Sequence, residues 1–136
     1  MNLLKGSLSC FVLTLIALSF SMMLRAQNAA ISYFELNVDP TVDSTQHNIY
    51  FMLAVNGSNQ VSSISIDVKG EEGQAIASIS SSIAALKLNY PYRMENGVLY
   101  LTIEAGTHAP SLYYQATAIL TPTTGEPLEY TRAKKM

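Results

Sequence analysis

The sequence predicts an all-β protein, a single sandwich of seven to eight antiparallel strands that follows a cleaved signal peptide. After residue 26, apolar side chains alternate with polar ones along most of the chain, which is typical of strands with one buried face. Turn residues interrupt this alternation about every ten residues, and no long stretch has helical periodicity, which favours a β-sandwich. The first 26 residues instead have the composition of an export signal.

The leader has a short start that carries Lys5, an apolar run from Leu8 to Leu24, and a small residue, Ala26, at its end. This order predicts cleavage between Ala26 and Gln27 by a signal peptidase. Retention as an anchor is the alternative, because the 17 residues of the run reach the lower limit of the roughly 17–25 that span a bilayer. Cleavage leaves 27–136 as one exported domain without a membrane span, which is periplasmic, at the cell surface or secreted. The cleavage region resembles that of exported proteins of Bacteroidetes-type bacteria.

The composition of residues 27–136 argues against several classes of function. Six basic and ten acidic side chains give this segment a net charge of −4 with neutral histidines. The segment has no basic stripe, which argues against a nucleic acid as partner. The one basic cluster, at 132–135, is predicted to be a solvated tail. The only cysteine, Cys10, lies in the leader, which excludes disulfides and thiolate chemistry from the domain.

The first three strands are predicted at 31–39, 47–55 and 61–69, where the alternation is clearest. Gly57, in the loop between the second and third strands, supplies the positive φ that a tight turn requires. The side chains predicted to point inward are Phe34, Leu36, Val38, Ile49, Phe51, Leu53, Val55, Ile64, Ile66 and Val68.

The next region is harder to interpret, because apolar residues at helical spacings of three and four are mixed with serines in 74–86. We predict a short strand at Ala75–Ile79, followed by an irregular or one-turn helical connection. Leu86–Met94 then alternates regularly and is predicted to be a strand. Pro91 has no backbone donor, so this strand is expected at a sheet edge or at a bulge.

The last strands are predicted at Val98–Ala105, Tyr113–Thr121 and Leu128–Arg132. Asn96-Gly97 precedes the first of them, and this dipeptide favours the type I′ turn of a β-hairpin. The inward residues of that strand are predicted to be Leu99, Leu101 and Ile103.

One segment carries a family resemblance. Pro110 precedes Tyr114 by four residues, and Ala116, Ala118 and Leu120 follow at alternate positions. This arrangement resembles the start of strand F in fibronectin type III and related immunoglobulin-like domains, where a corner tyrosine begins the strand. The chain departs from the family in having no Trp. The resemblance implies an immunoglobulin-like sandwich and says nothing of a ligand.

No motif in the sequence indicates catalysis. His47 and His108 are the only imidazoles, no nucleophile-elbow motif accompanies them, and we expect both to be exposed to solvent. Two separated histidines also make a poor zinc site. Asp39 and Asp43, with Glu35 nearby, lack the ligand spacing and the glycine turn of a calcium loop. We therefore predict that the protein is not an enzyme and has no metal or cofactor.

An exposed face is the remaining candidate for function. If the strands that begin at Ile31, His47 and Val98 share one sheet, its outer face carries Tyr33, Tyr50, Met52 and Tyr100. The other sheet would show polar residues, namely Ser63, Ser65, Asp67, Gln115 and Thr117. Tyrosine offers a flat apolar area and a hydroxyl, which suits a protein or glycan contact. The structural alternative is that these side chains only stiffen the sheet through cross-strand pairs.

The sequence thus predicts a non-catalytic exported module whose partner is another exported or cell-envelope protein. The alternative is a carbohydrate-binding module that holds a glycan with the same tyrosine face. An enzyme whose site is assembled from distant loops is the third interpretation.

Overall fold

The computed structural model describes residues 29–136, which form eight strands and one α-helix. The predicted leader, with its cleavage site at Ala26 and Gln27, lies outside the described residues. The elements in chain order are β1 (Ala30–Pro40), β2 (His47–Asn56), a 3₁₀ turn (Ser58–Gln60), β3 (Val61–Lys69), β4 (Ala75–Ser82), α1 (Ile83–Asn89), β5 (Tyr92–Glu95), β6 (Val98–His108), β7 (Tyr113–Pro122) and β8 (Leu128–Lys135).

The strands form two four-stranded antiparallel sheets, so the predicted all-β sandwich is confirmed. The order of the first sheet is β1-β2-β6-β5, and that of the second is β4-β3-β7-β8. Every side chain predicted to point inward is buried, and the core fills the space between the sheets. Within this core the rings of Phe34 on β1 and Phe51 on the neighbouring β2 lie 6.1 Å apart, in a tilted arrangement.

The strand predicted at Leu86–Met94 is wrong over its first half, because residues up to Asn89 belong to α1. Ser82 begins the helix by accepting a hydrogen bond from the Ala85 N–H at 3.2 Å, as an N-cap residue does. The period-two pattern gave the wrong prediction here because Leu86 and Leu88 do not share a buried face. Leu86 is 0% exposed, whereas Leu88 is 85% exposed. The helix ends where the residue before Pro91 must be extended.

The hairpin predicted at Asn96-Gly97 is confirmed. Both residues have positive φ, 51° and 77°, as the type I′ turn requires. The turn pairs β5 with β6, and β5 is an edge strand as Pro91 predicts. The peptide of Pro91 still contributes its carbonyl oxygen, which accepts a hydrogen bond from the Thr102 N–H at 3.2 Å.

Side chains of β8, at the edge of the second sheet, form hydrogen bonds with the backbone of β1, at the edge of the first sheet. The Ile31 N–H donates to the Tyr130 hydroxyl at 3.0 Å, and Arg132 Nε donates to the Phe34 carbonyl oxygen at 2.9 Å. The Arg132 guanidinium also lies 5.9 Å from the centre of the Phe34 ring. The basic segment at 132–135 is exposed to solvent as predicted, but it is not a tail, because it belongs to β8 up to Lys135 and its arginine contacts β1.

A buried tyrosine fixes the start of β7. Tyr114 is 0% exposed, and its hydroxyl accepts a hydrogen bond from the Ser111 N–H at 2.8 Å. The same hydroxyl lies 2.6 Å from His47 Nδ1, on a strand of the other sheet. The inward positions predicted after it, Ala116, Ala118 and Leu120, are all 0% exposed. His47 is thus half-buried against Tyr114, and the prediction that it is exposed to solvent is wrong.

Candidate functional site

The outer face of the first sheet is organised in rows that cross its strands. Paired residues of an antiparallel sheet point to the same side, so the register defines these rows. The first row consists of Tyr33, Ala54, Tyr100 and Arg93. The second consists of Glu35, Met52 and Thr102, and the third of Asn37, Tyr50 and Glu104. The condition under which the tyrosine face was predicted, that β1, β2 and β6 share a sheet, is met.

Three of the four predicted face residues, Tyr33, Met52 and Tyr100, line one groove. Its volume is about 570 Å³. Ala54 lies between the two tyrosines in the first row and is 4% exposed. Tyr33 and Met52 remain 49% and 42% exposed, which leaves their apolar area available for contact.

The opposite wall of the groove comes from the edge of the sheet. Pro91, Tyr92 and Arg93 line it at this edge, and Leu53, Leu101 and Thr102 of the central strands β2 and β6 complete the lining. The sequence did not predict this wall, because Leu86–Met94 was interpreted as one long strand. Tyr92 does pair with the inward Leu101, but the sheet ends at β5 and the ring stays 51% exposed.

Arg93 gives the groove a cationic component. Its guanidinium carbon lies 4.5 Å from the centre of the Tyr100 ring, a cation–π contact. Arg93 also forms an ion pair with Glu95, in which Nη1 lies 3.6 Å from Oε2. Arginine, tyrosine and methionine are the residue types enriched in protein–protein interfaces.

Tyr50 does not belong to the groove. It lies in a smaller depression nearer the other end of the face, with Asp39, Asn48, Glu104 and Gly106. Partial desolvation raises the pKa of the Tyr50 phenol above 10.0, and the charge and hydrogen bond of Asp39 raise it further. The predicted face is thus divided into an apolar groove and an acidic end.

Glu35 lies between these two regions. The Tyr33 hydroxyl donates to Glu35 Oε2, and this hydrogen bond is the main cause of a raised pKa for Tyr33. Glu35 also occupies the same row as Met52, which lines the groove. The groove and the acidic end are therefore continuous.

The outer face of the second sheet is polar, as predicted. Ser65, Gln115 and Thr117 point outward because their neighbours along each strand are buried. The carboxylate of Asp67 is hydrogen-bonded within the sheet, because it accepts from the Ser78 hydroxyl at 2.6 Å. This face has none of the tyrosine, methionine and arginine clustering of the first.

The remaining candidate residues for chemistry have structural roles. His108 Nε2 contacts the carbonyl oxygen of Ala105, and His108 is half-buried and not exposed as predicted. Asp43 accepts hydrogen bonds from the hydroxyls of Thr41 and Thr45 at 2.7 and 2.8 Å, which lowers its pKa and holds the β1–β2 loop. Within residues 29–136, no group of three or more His, Cys, Asp or Glu could hold a metal ion.

Comparison with known proteins leaves the fold and this face as the basis for a functional proposal. No protein-family model matches the chain, and no curated protein sequence matches it. None of the helices in the described part of the chain is long and apolar enough to cross a membrane.

Proposed function

We propose that residues 29–136 are an immunoglobulin-like domain. In such domains strands A, B, E and D form one sheet, and C, F and G form the other, which can gain C′ at its edge. The orders β1-β2-β6-β5 and β4-β3-β7-β8 correspond to A-B-E-D and C′-C-F-G. Tyr114 supports the same assignment, because its hydroxyl bonds to the backbone of Ser111 just before strand F, as a tyrosine corner does.

We propose that this domain is a non-catalytic, exported module that binds another exported or cell-envelope protein. The observation that carries the proposal is the groove lined by Tyr33, Met52, Tyr92, Arg93 and Tyr100. It combines exposed apolar area with a stacked guanidinium, which is the composition of an interface hot spot. The opposite, polar face offers no comparable surface.

A glycan is the second candidate partner, because Tyr33 is about half exposed on the outer face and a sugar ring could stack on it. Arg93 argues against this reading. Its guanidinium already covers Tyr100 at 4.5 Å, so a sugar would have to displace a cation–π contact to stack on that ring. A protein partner can instead pack around the Arg93–Tyr100 pair.

The test compares three forms of the immobilised domain for capture of proteins from an extract of the cell envelope of the source organism. The groove variant carries Tyr33→Ser, Met52→Ser and Tyr100→Ser. The control variant carries Val42→Ser, Leu112→Ser and Tyr113→Ser, which remove exposed apolar area from other parts of the surface.

We expect a protein that is enriched on the wild type and the control and lost from the groove variant. Equal capture by all three forms would contradict the proposal. A glycan array is probed with the same three forms, and glycan binding that only the groove variant loses would instead support the carbohydrate-binding function.

A further inference from the structure

The two outer faces of the sandwich differ in charge. The first sheet presents four carboxylates outward and one cation, Arg93; the carboxylates belong to Glu35, Asp39, Glu95 and Glu104. The second sheet presents two acidic and two basic residues outward, which are Asp67, Glu129, Lys69 and Lys135. The net charge is therefore −3 on the face that carries the groove and zero on the other.

Three of these carboxylates have no cation near them. Arg93 pairs with Glu95, and among residues 29–136 no Lys or Arg nitrogen lies within 4.0 Å of the carboxylates of Glu35, Asp39 or Glu104. Two of these carboxylates act on Tyr50, because the charges of Asp39 and Glu35 both raise the pKa of its phenol. The acidic end of the face is thus available for a cation from outside the molecule.

The distance from the groove to this acidic end limits the shape of a ligand. Met52 in the groove and Tyr50 at the acidic end are two residues apart on β2, and Tyr100 and Glu104 are four residues apart on β6. At about 3.4 Å per residue of strand, these separations are roughly 7 and 14 Å. An extended segment spans the same distances with two to four residues.

We propose that the partner presents an extended segment in which a Lys or Arg lies two to four residues from an aliphatic or aromatic side chain. The apolar side chain fills the groove at Tyr33, Met52 and Tyr100, and the cation lies among Glu35, Asp39 and Glu104. This inference rests on the proposed function and adds the chemistry of the partner. The apolar stem of a Lys or Arg can lie along Met52 while its charge reaches the carboxylates.

The test selects a displayed library of random decapeptides on the folded wild-type domain. Selected peptides are then synthesised and measured by fluorescence anisotropy. The charge variant carries Glu35→Gln, Asp39→Asn and Glu104→Gln, which keep side-chain size. The matched control carries Glu71→Gln, Glu72→Gln and Glu126→Gln, which make the same change in net charge in exposed turns.

We expect enriched peptides to contain a Lys or Arg two to four residues from an apolar residue. Their affinity should fall at least tenfold for the charge variant and stay within twofold for the control. Raising the salt from 0.05 to 0.5 M should weaken binding to the wild-type domain itself, because screening acts on charges at the surface. The salt series needs no variant and so does not depend on how the substitutions affect folding.

The outcomes separate the inference from the proposed function. Neutral or acidic peptides that bind the wild type but not the groove variant would overturn the basic partner and leave the groove as the binding site. Peptides that bind the charge variant and the wild type equally would do the same. If no peptide is enriched, or if the groove variant binds the selected peptides as well as the wild type, both proposals fail.

Discussion

The hydroxyl of Tyr114 should contribute measurably to the stability of this domain, because Tyr114 is 0% exposed and the hydroxyl contacts both the Ser111 N–H and His47 Nδ1. Tyr114→Phe removes only that oxygen and leaves the packing of the ring unchanged. The Ser111 N–H, which donates to it at 2.8 Å in a residue that is 5% exposed, would then be buried without a partner. An unsatisfied buried donor costs about 1–3 kcal/mol, and the lost contact to His47 adds about 1 kcal/mol. We expect a total loss of about 2–4 kcal/mol in the free energy of unfolding.

Urea denaturation followed by far-ultraviolet circular dichroism measures this loss. Small domains have m-values of about 1–3 kcal/mol per molar urea, and at a central value of about 2 a loss of about 2–4 kcal/mol shifts the midpoint by about 1–2 M. Tyr113→Phe is the matched control, since its side chain is 38% exposed and no hydrogen bond of its hydroxyl is found within residues 29–136. A Tyr114→Phe domain within about 0.5 kcal/mol of that control would refute the reasoning.

A double-mutant cycle separates the two hydrogen bonds of this hydroxyl. In a His47→Leu background, Tyr114→Phe can no longer remove the contact to the imidazole. We therefore expect the cost of Tyr114→Phe to fall by about 1 kcal/mol in that background, while the cost from Ser111 remains. Full additivity of the two substitutions would show that the contact between His47 and Tyr114 contributes nothing.

Two further predictions concern α1 and the tyrosine face. Leu86→Ala should lower the free energy of unfolding by about 2–5 kcal/mol, because Leu86 is buried. Leu88→Ala should change it by less than about 0.5 kcal/mol, because Leu88 is exposed. Similar urea midpoints for the two variants would contradict the helix. Because the bond to Glu35 raises the pKa of Tyr33 in the folded state, its contribution to stability is present below pH 10 and is lost as the pH rises through the folded pKa. Alkaline titration at 295 nm should show that Tyr33, and to a smaller extent Tyr50, ionises earlier in Glu35→Gln than in the wild type. Identical titration curves would exclude the interaction with Glu35.

Most of the fold could be predicted because strands with one buried face leave a period-two pattern in the sequence. The Asn96-Gly97 turn was equally predictable, since positive φ at both positions restricts the residue types. The failure at α1 has a physical cause. Leu86 satisfies the patterns of both a strand and a helix, and the choice depends on Ser82 as N-cap and on burial of Ile83 against the core.

The candidate site was only half predictable for a related reason. Tyr33, Met52 and Tyr100 follow from alternation once their strands share a sheet. The wall formed by Pro91, Tyr92 and Arg93 depends on where the sheet ends, which no local pattern encodes. The separation of Tyr50 from the groove likewise depends on the register between β2 and β6.

The central claim is that a protein partner occupies the outer face of the first sheet. Thr102, which lies beside Met52 in the groove, and Thr117, on the outer face of the second sheet, provide a matched pair of half-buried threonines. Each is replaced in turn by a photo-crosslinking amino acid in the native cells. We predict a discrete crosslinked protein from position 102 and none from position 117. Crosslinking of the same protein from position 117 alone, or from neither position, would contradict the claim.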